Sequence, residues 1–450
     1  MPITSKGAPF KEQVRVPGKS LRIDEHVCNQ VFKSIEMYDG RTKLGLKVFH
    51  LQRLSLTAFN DAAMSQSSSY RKLKSGLFDR SNMSQLSNAQ LVAMCVGLGK
   101  LKSADTIEWS LLGDALKGSC KSSVHPLSSA QVSACLYSFA KSGNAYLLKD
   151  GVVDTLFKHT LKFSSDWSPV DMGWVLYFMR SCTRAGARPR LLHRMLDQIA
   201  YRFNERLARC SVKNIACILH ELSVLRLLPG HAIYRACHRL EVEKKKIDPK
   251  TMMLLFLSLA RLRVYKLDLL YSLSNHVISN LDAYSPRQRT SILYALAKLG
   301  VRNSTLVEAL ISQCESDLPE LSEIDFALLA YSLGSLNIQN RAMLWKAMFD
   351  RFRGSIDMLS PQTIAMFVSA LGKARFPVVT GHLSSIYVTL EANKAGFTDR
   401  QLLNSLNALA SLGGLMQKSP SRDFSNIQLS PNKVVKTQWG RIVAAQGGSD

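Results

Sequence analysis

The chain has 450 residues, too many for one ordinary compact core and enough for two or three domains or one elongated repeat array. A hydrophobic fraction of 46% excludes wholesale disorder, and no apolar run approaches the roughly 20 residues that span a bilayer. With 58 Lys and Arg against 34 Asp and Glu, the net charge is +24, an excess that favours a polyanionic partner, nucleic acid above all.

In chain order, residues 1–42 read as a basic N-terminal extension. Its opening, MPITSKGAPFKEQVRVPGKSLRID, has one acid before Asp24, the composition of a transit peptide. Pro2, Pro9 and Pro17 would interrupt an amphipathic helix, so an ordered basic arm fits equally. Residues 43–417 read as a repeat domain, with clear repeats from 87 onward. Residues 418–450 are polar and rich in Pro, Ser and Gly, an extended tail expected to order only on a partner.

One register recurs through the repeat region. Its starts, position 0, are Ser87, Ser128, Ser168, Ser211, Asp248, Ser285, Ser322, Ser360 and Thr398, spaced by 37 to 43 residues. Every start can accept a hydrogen bond from an orphan amide of a first helical turn. Position +3 is Gln90, Gln131, Asp171, Asn214, Thr251, Gln288, Asp325, Thr363 and Gln401, and its Gln members predict a capping box. Pro169, Pro249, Pro286 and Pro361 follow the cap, where a missing N–H costs nothing. Position +11 is large and apolar in all nine units, and +12 is small in all but one, Arg180. Gly143, Gly186, Gly300 and Gly413 stand where a helix should stop. A second amphipathic stretch fills each unit, as in NSTLVEALISQCESDL (303–318) and NRAMLWKAMFDRF (340–352). The predicted fold is all-α, an α-solenoid of about nine or more helix-turn-helix repeats of 37–43 residues.

Projected at 100° per residue, positions +4, +7, +8, +11 and +14 form one apolar stripe, the side buried against the second helix. Positions +5 and +12 on one flank and +10 on the other are rich in Gly, Ala and Ser, which suits first helices packed in a row. The remaining face holds +2, +6, +9 and +13. Candidate RNA contacts there are Lys213, Lys250, Arg287 and Arg400 at +2, and Lys100, Lys141, Arg261, Lys298 and Lys373 at +13. Tyr137, Tyr177, Tyr294 and Tyr331 occupy +9, and no acid occurs at +2, +9 or +13 in any unit. Distributed cations meet phosphates and aromatic rings stack on unpaired bases, the combination that single-stranded nucleic acid requires. The plainer account is a solvated face, or one covered by a neighbour.

Weaker features are the basic segments RAGARPR (184–190) and EVEKKKID (241–248), and the stretch 303–340, which holds six acids and neither Lys nor Arg. That acidic segment is expected to face solvent or a basic protein. Nine cysteines lie singly, with no CxxC, as small buried hydrophobes of a reducing compartment. His231, Cys237 and His238 lack a second ligand pair, so neither metal nor cofactor is expected. No phosphate-binding loop, nucleophile elbow, HExxH or supported carboxylate pair occurs, which argues against an enzyme and a small-molecule substrate.

The segments YSPRQRTSILYALAKLG, LSEIDFALLAYSLGSLN, LSPQTIAMFVSALGKAR, LSNAQLVAMCVGLGKLK and LSSAQVSACLYSFAKSG resemble the helical-hairpin repeats of organellar RNA-binding proteins. The likeness is to the heptatricopeptide and octotricopeptide kind and the related FAST-kinase-like and RAP-domain arrays, over residues 85–415. The resemblance implies binding of organellar transcripts or ribosomal RNA in the mitochondrial matrix, in some members as part of the mitochondrial ribosome with protein neighbours at the termini. The tail is too short for a RAP module, which removes the ground for nuclease-like activity. The expectation is therefore a non-catalytic organellar RNA-binding protein, most concretely a binder of ribosomal RNA. A protein-binding scaffold of HEAT or armadillo type and a message-specific expression factor are the alternatives.

Overall fold

The computed structural model describes residues 21–38, 43–57, 61–122, 126–143, 150–186, 190–225, 230–243, 247–302, 305–376 and 380–416. Among these residues every regular element is helical and no strand occurs. The helices fall into two compact units, Met1–Cys237 and His238–Asp450, each an α-solenoid of helix-turn-helix repeats. The division falls inside the span 43–417 that the sequence presents as one repeat domain.

The first unit opens with α1 (Leu21–Glu36), α2 (Leu44–Leu54), α3 (Asp61–Met64), α4 (Ser68–Ser75) and α5 (Arg80–Gln85). Repeats follow as α6 (Asn88–Leu101) with α7 (Thr106–Lys121), α8 (Ser129–Lys141) with α9 (Asp150–Lys162), and α10 (Pro169–Arg184) with α11 (Leu192–Arg206). Next comes α12 (Val212–Leu225), and α13 (Gly230–Val242) spans the division between units. The second unit holds α14 (Pro249–Leu262), α15 (Leu267–Ile278), α16 (Pro286–Leu299), α17 (Thr305–Ser316), α18 (Glu323–Leu336), α19 (Ala342–Ser355), α20 (Pro361–Ala374), α21 (Thr380–Ala392) and α22 (Asp399–Met416). First helices form a row in each unit: α2, α6, α8, α10 and α12 in one, α14, α16, α18, α20 and α22 in the other. Second helices line up behind them, α5, α7, α9 and α11 in the first unit and α15 with α17 in the second.

The caps act as the sequence predicts. All nine start residues accept a bond from the +3 amide, at 3.1 to 3.4 Å. The side chains of Gln90, Gln131, Gln288 and Gln401 close the reciprocal bond to the cap amide, and Asp171 does the same. The residue before each cap is apolar and, in eight units, buried: Leu86, Leu127, Trp167, Cys210, Ile247, Tyr284, Leu321 and Phe397. This is the position from which a hydrophobic staple fixes the angle of chain entry. At +11, eight of the nine side chains are buried, Leu409 being the half-exposed member.

Packing between successive first helices runs through +12 of one and +10 of the next. A β-carbon on Gly99 would stand 2.7 Å from Ser138, one on Gly334 2.7 Å from the Ala370 carbonyl oxygen, and one on Gly372 2.7 Å from Ala408. Glycine is therefore required at these close approaches. Arg180, the one large residue at +12, meets Glu221, the one acid at +10, with Nε 3.1 Å from Oε2 and both side chains nearly buried. Two departures from the small-residue rule thus answer each other.

First helices end in a recurring left-handed residue at +15. Lys102, Arg263, Asn337 and Arg375 have φ of 55°, 53°, 58° and 51°, and Gly143 and Gly300 have 82° and 69°. The amide that follows reaches back to the +11 carbonyl in Ser103→Leu98, Val264→Leu259, Val301→Leu296, Ile338→Leu333 and Phe376→Leu371, the long bond of a Schellman motif. A side chain in this conformation costs roughly 1–2 kcal/mol that glycine avoids. Gly413 departs from its expected role: it lies inside α22, which continues to Met416.

The helices before Ser87 escape the repeat register, α1 and α2 most clearly. Residues 21–36, inside the span read as an extension, form α1, which packs on α2 and α4 and fully buries Val31 and Ile35. Helix α2 is a further first helix, with Leu51 and Leu54 buried, but Lys43 at its cap makes no side-chain bond. Residues 1–20 and 39–42 of the extension, and the tail 418–450, lie outside the described residues.

Candidate nucleic-acid interface

The candidate face is built by the helix period. With 3.6 residues per turn, +9 and +13 are neighbours one turn apart, while +2 and +13 are separated by roughly 16 Å along the axis. All nine basic candidates are exposed: Lys100, Lys141 and Lys213 in the first unit, and Lys250, Arg261, Arg287, Lys298, Lys373 and Arg400 in the second. The four tyrosines are half-buried. Each row therefore presents a +13 edge that adjoins the rings and a separate +2 edge at the helix N-termini.

In the second unit the structure brings four candidates from three helices together. Tyr294 of α16 and Tyr331 of α18 lie 5.3 Å apart between ring centroids, tilted by 54°. Lys298 Nζ donates to Tyr331 Oη at 2.6 Å and sits 4.4 Å from that ring's centroid. Lys373, from α20, places its Nζ 4.5 Å from the same centroid and within 3.3 Å of Ser335 Oγ. Helix α18 has no cation of its own at +2 or +13, where it carries Ile324 and Ser335. Its neighbours supply two. Burial alone would raise the Tyr331 phenol, but hydrogen bonds to Lys298 and Ser335 and the charges of Lys298 and Lys373 bring it below the ordinary tyrosine value. Burial works against the Lys298 ammonium, but the bond to Tyr331 and the charge-stabilising contacts with Tyr294 and Tyr331 raise it. Among the described residues no ion pair engages Lys298 or Lys373.

In the first unit the matching tyrosines also meet, Tyr137 and Tyr177 being 5.1 Å apart at 55°. Trp174, at +6 of α10, stacks on Tyr137 at 5.7 Å and 26°. The sequence reading places +6 on this face without singling out that residue. The cation over Tyr177 is Arg180, 4.6 Å from the centroid, and it is already tied to Glu221. Burial, with smaller effects from Tyr177, Cys217 and Glu221, raises the Tyr137 phenol despite Arg180. Lys100, Lys141 and Lys213 join no aromatic cluster among the described residues, and neither do Lys250, Arg287 and Arg400.

The tyrosines are thus not bare stacking platforms. Each pair bridges adjacent first helices, and cations cover part of the rings. The sequence signal for this was the recurrence of Tyr at +9 in consecutive units.

The acidic stretch 303–340 has an internal use. Asp317 pairs with Arg289 at 3.3 Å, and Glu308 and Glu315 flank Arg341 at 3.0 and 3.8 Å. Glu323 accepts the Ser360 amide at 2.7 Å, and Asp325 is buried as the +3 partner of Ser322. Five of its six acids serve the fold. The centres of the basic segments, residues 187–189 and 244–246, lie outside the described residues, as does the His231 side chain. Among the described residues no cluster of His, Cys, Asp and Glu is arranged to hold a metal ion, and no helix is long and apolar enough to cross a membrane.

No protein-family model matches the chain, and no curated protein matches it.

Proposed function

We propose that the chain is a non-catalytic RNA-binding repeat protein of the mitochondrial matrix. Its ligand is ribosomal RNA, bound as a component of the mitochondrial ribosome or as an rRNA-stabilising factor. The observation that carries the reading is the convergence of Lys298 and Lys373, from different helices, on the Tyr331 ring with no acid among the described residues paired to either. An ammonium gains from a π-face, but two unneutralised ammonium groups beside one ring leave a local excess of positive charge that a phosphate satisfies. Exposed +2 and +13 cations on the other first helices extend the attraction, and the net charge of +24 gives it range. The organellar and ribosomal parts of the proposal rest on the resemblance of the repeats.

A second reading, a protein-binding scaffold, draws on exposed apolar surface at the start of α15. Tyr265, Leu267 and Tyr271 there are 57%, 76% and 72% exposed. Ultraviolet crosslinking in intact cells, with sequencing of the attached RNA, separates the readings. Reads on a few ribosomal RNA segments are the expected result. Reads spread over transcripts would make the chain a message-binding factor, and no crosslinked RNA above background would leave the scaffold.

A further inference from the structure

Among the described residues, four other than glycine have positive φ, and all four stand at +15. Three of them are basic: Lys102, Arg263 and Arg375. Gly143 and Gly300, elsewhere at the same position, are the residue that this backbone favours, and Asn337 is the next best tolerated. Lys and Arg gain nothing from the left-handed conformation, so a reason must be sought in what their side chains meet. All three are exposed, and no ion pair among the described residues engages them.

Each stands two residues beyond a +13 cation, giving the pairs Lys100 with Lys102, Arg261 with Arg263, and Lys373 with Arg375. The negative end of a helix favours cations, and +13 already supplies one in the last turn. A second cation beside the first adds repulsion as well as backbone strain. Residues held in such conformations tend to mark functional positions. An extended polyanion turns the repulsion into attraction, because its phosphates lie between like charges, and that gain offsets the strain.

Resting on the RNA-binding reading above, we infer that Lys102, Arg263 and Arg375 are phosphate-contacting residues for single-stranded RNA. With the +13 cations of their own unit, they set a strand's backbone along the C-terminal edge of that unit's first helices, Lys102 in the first unit and Arg263 with Arg375 in the second. Contacts of this kind hold and orient a strand without reading its bases.

The test uses the full chain and a labelled single-stranded RNA of mixed sequence, titrated over a range of salt. Replacing the three residues together by glycine (Lys102→Gly, Arg263→Gly and Arg375→Gly) leaves melting unchanged or raises it. The same variant weakens RNA binding about tenfold or more at low salt and makes the salt slope shallower by roughly 0.7 for each contact a bound strand loses, about 1.4 for a strand on the second unit. Asn337→Gly, the control, raises melting in the same sense and leaves RNA affinity alone. Wild-type affinity and slope in the triple variant would overturn the inference. So would lower melting with unchanged binding, which would make the three residues helix-end caps. If the wild-type chain itself binds no RNA, the underlying reading of function falls and takes this inference with it.

Discussion

The two tyrosine pairs occupy the same repeat positions and do opposite things with charge. In the first unit Tyr137 packs on Tyr177, and Tyr177 lies under Arg180, whose charge Glu221 neutralises. Tyr294 and Tyr331 in the second unit lie under Lys298 and Lys373, which have no acid partner among the described residues. A cation on an aromatic ring is thus insufficient to mark a nucleic-acid contact. What decides is whether the charge has been spent inside the fold. By that criterion the first pair is packing, and the second is the one proposed to face an anion.

Breaking the spent charge gives the largest effect. Arg180→Ala removes the ion-pair partner of Glu221 in a nearly buried site, and loss of one partner from such a pair costs about 3–5 kcal/mol. Adding Glu221→Ala restores the small-on-small contact of the other repeats and recovers most of the loss in chemical denaturation. Neither change alters RNA affinity, whereas Lys298→Ala leaves stability within about 0.5 kcal/mol and lowers affinity. Next in size, Gly334→Ala forces a β-carbon to 2.7 Å from the Ala370 carbonyl oxygen, an overpacking expected to cost about 1–3 kcal/mol. That result would sharpen the comparison by showing that the closest +12 approaches take no side chain, whereas Arg180 is accommodated with Glu221 opposite it.

How much of this was legible in the sequence follows from what each position demands chemically. Caps and +11 residues were readable because an orphan amide requires a side-chain oxygen and a core requires a large apolar residue. The +12 glycines were readable as small, and only the structure identifies their +10 partners. Arg180 stood out as an exception, but its explanation lies 41 residues away at Glu221, which no single-repeat pattern connects to it. Helix α2 was hidden because Lys43 cannot cap it, and α1 because it precedes the register. The left-handed +15 residues were invisible where Lys or Arg replaces glycine, since neither type signals a turn. The candidate cations were placed correctly as exposed, but their grouping was not legible: side chains cross from α16 and α20 to α18, which lacks cations of its own.

Two smaller effects test the electrostatics. In the first unit Lys74 lies 2.6 Å from Glu108 and 3.1 Å from Asp61, with Ser103 bonded to both carboxylates. Burial pushes the Glu108 carboxyl up to about 7, with Lys74 pulling down and Asp105 and Asp61 adding to the rise. A carboxyl raised above its unfolded value contributes stability in full below that value, about 4.5, and loses it as pH rises through about 7. Glu108→Gln should therefore flatten stability over that window, read as the difference between variant and wild type in denaturation at successive pH values. The smallest effect is spectroscopic: Tyr331 ionises below the ordinary tyrosine range and Tyr137 above it, resolvable by NMR titration of ring-labelled protein. Bound RNA should raise the Tyr331 value by engaging its lysines and leave Tyr137 where it is.

The central claim is that Lys298 and Lys373 are phosphate-binding charges. Its most direct test is the salt dependence of single-stranded RNA binding by the wild type and by the Lys298→Ala, Lys373→Ala double variant. The account predicts a slope shallower by about 1.4, from roughly 0.7 per lost contact, with unchanged melting. Equal slopes and equal affinities in the two proteins would contradict it.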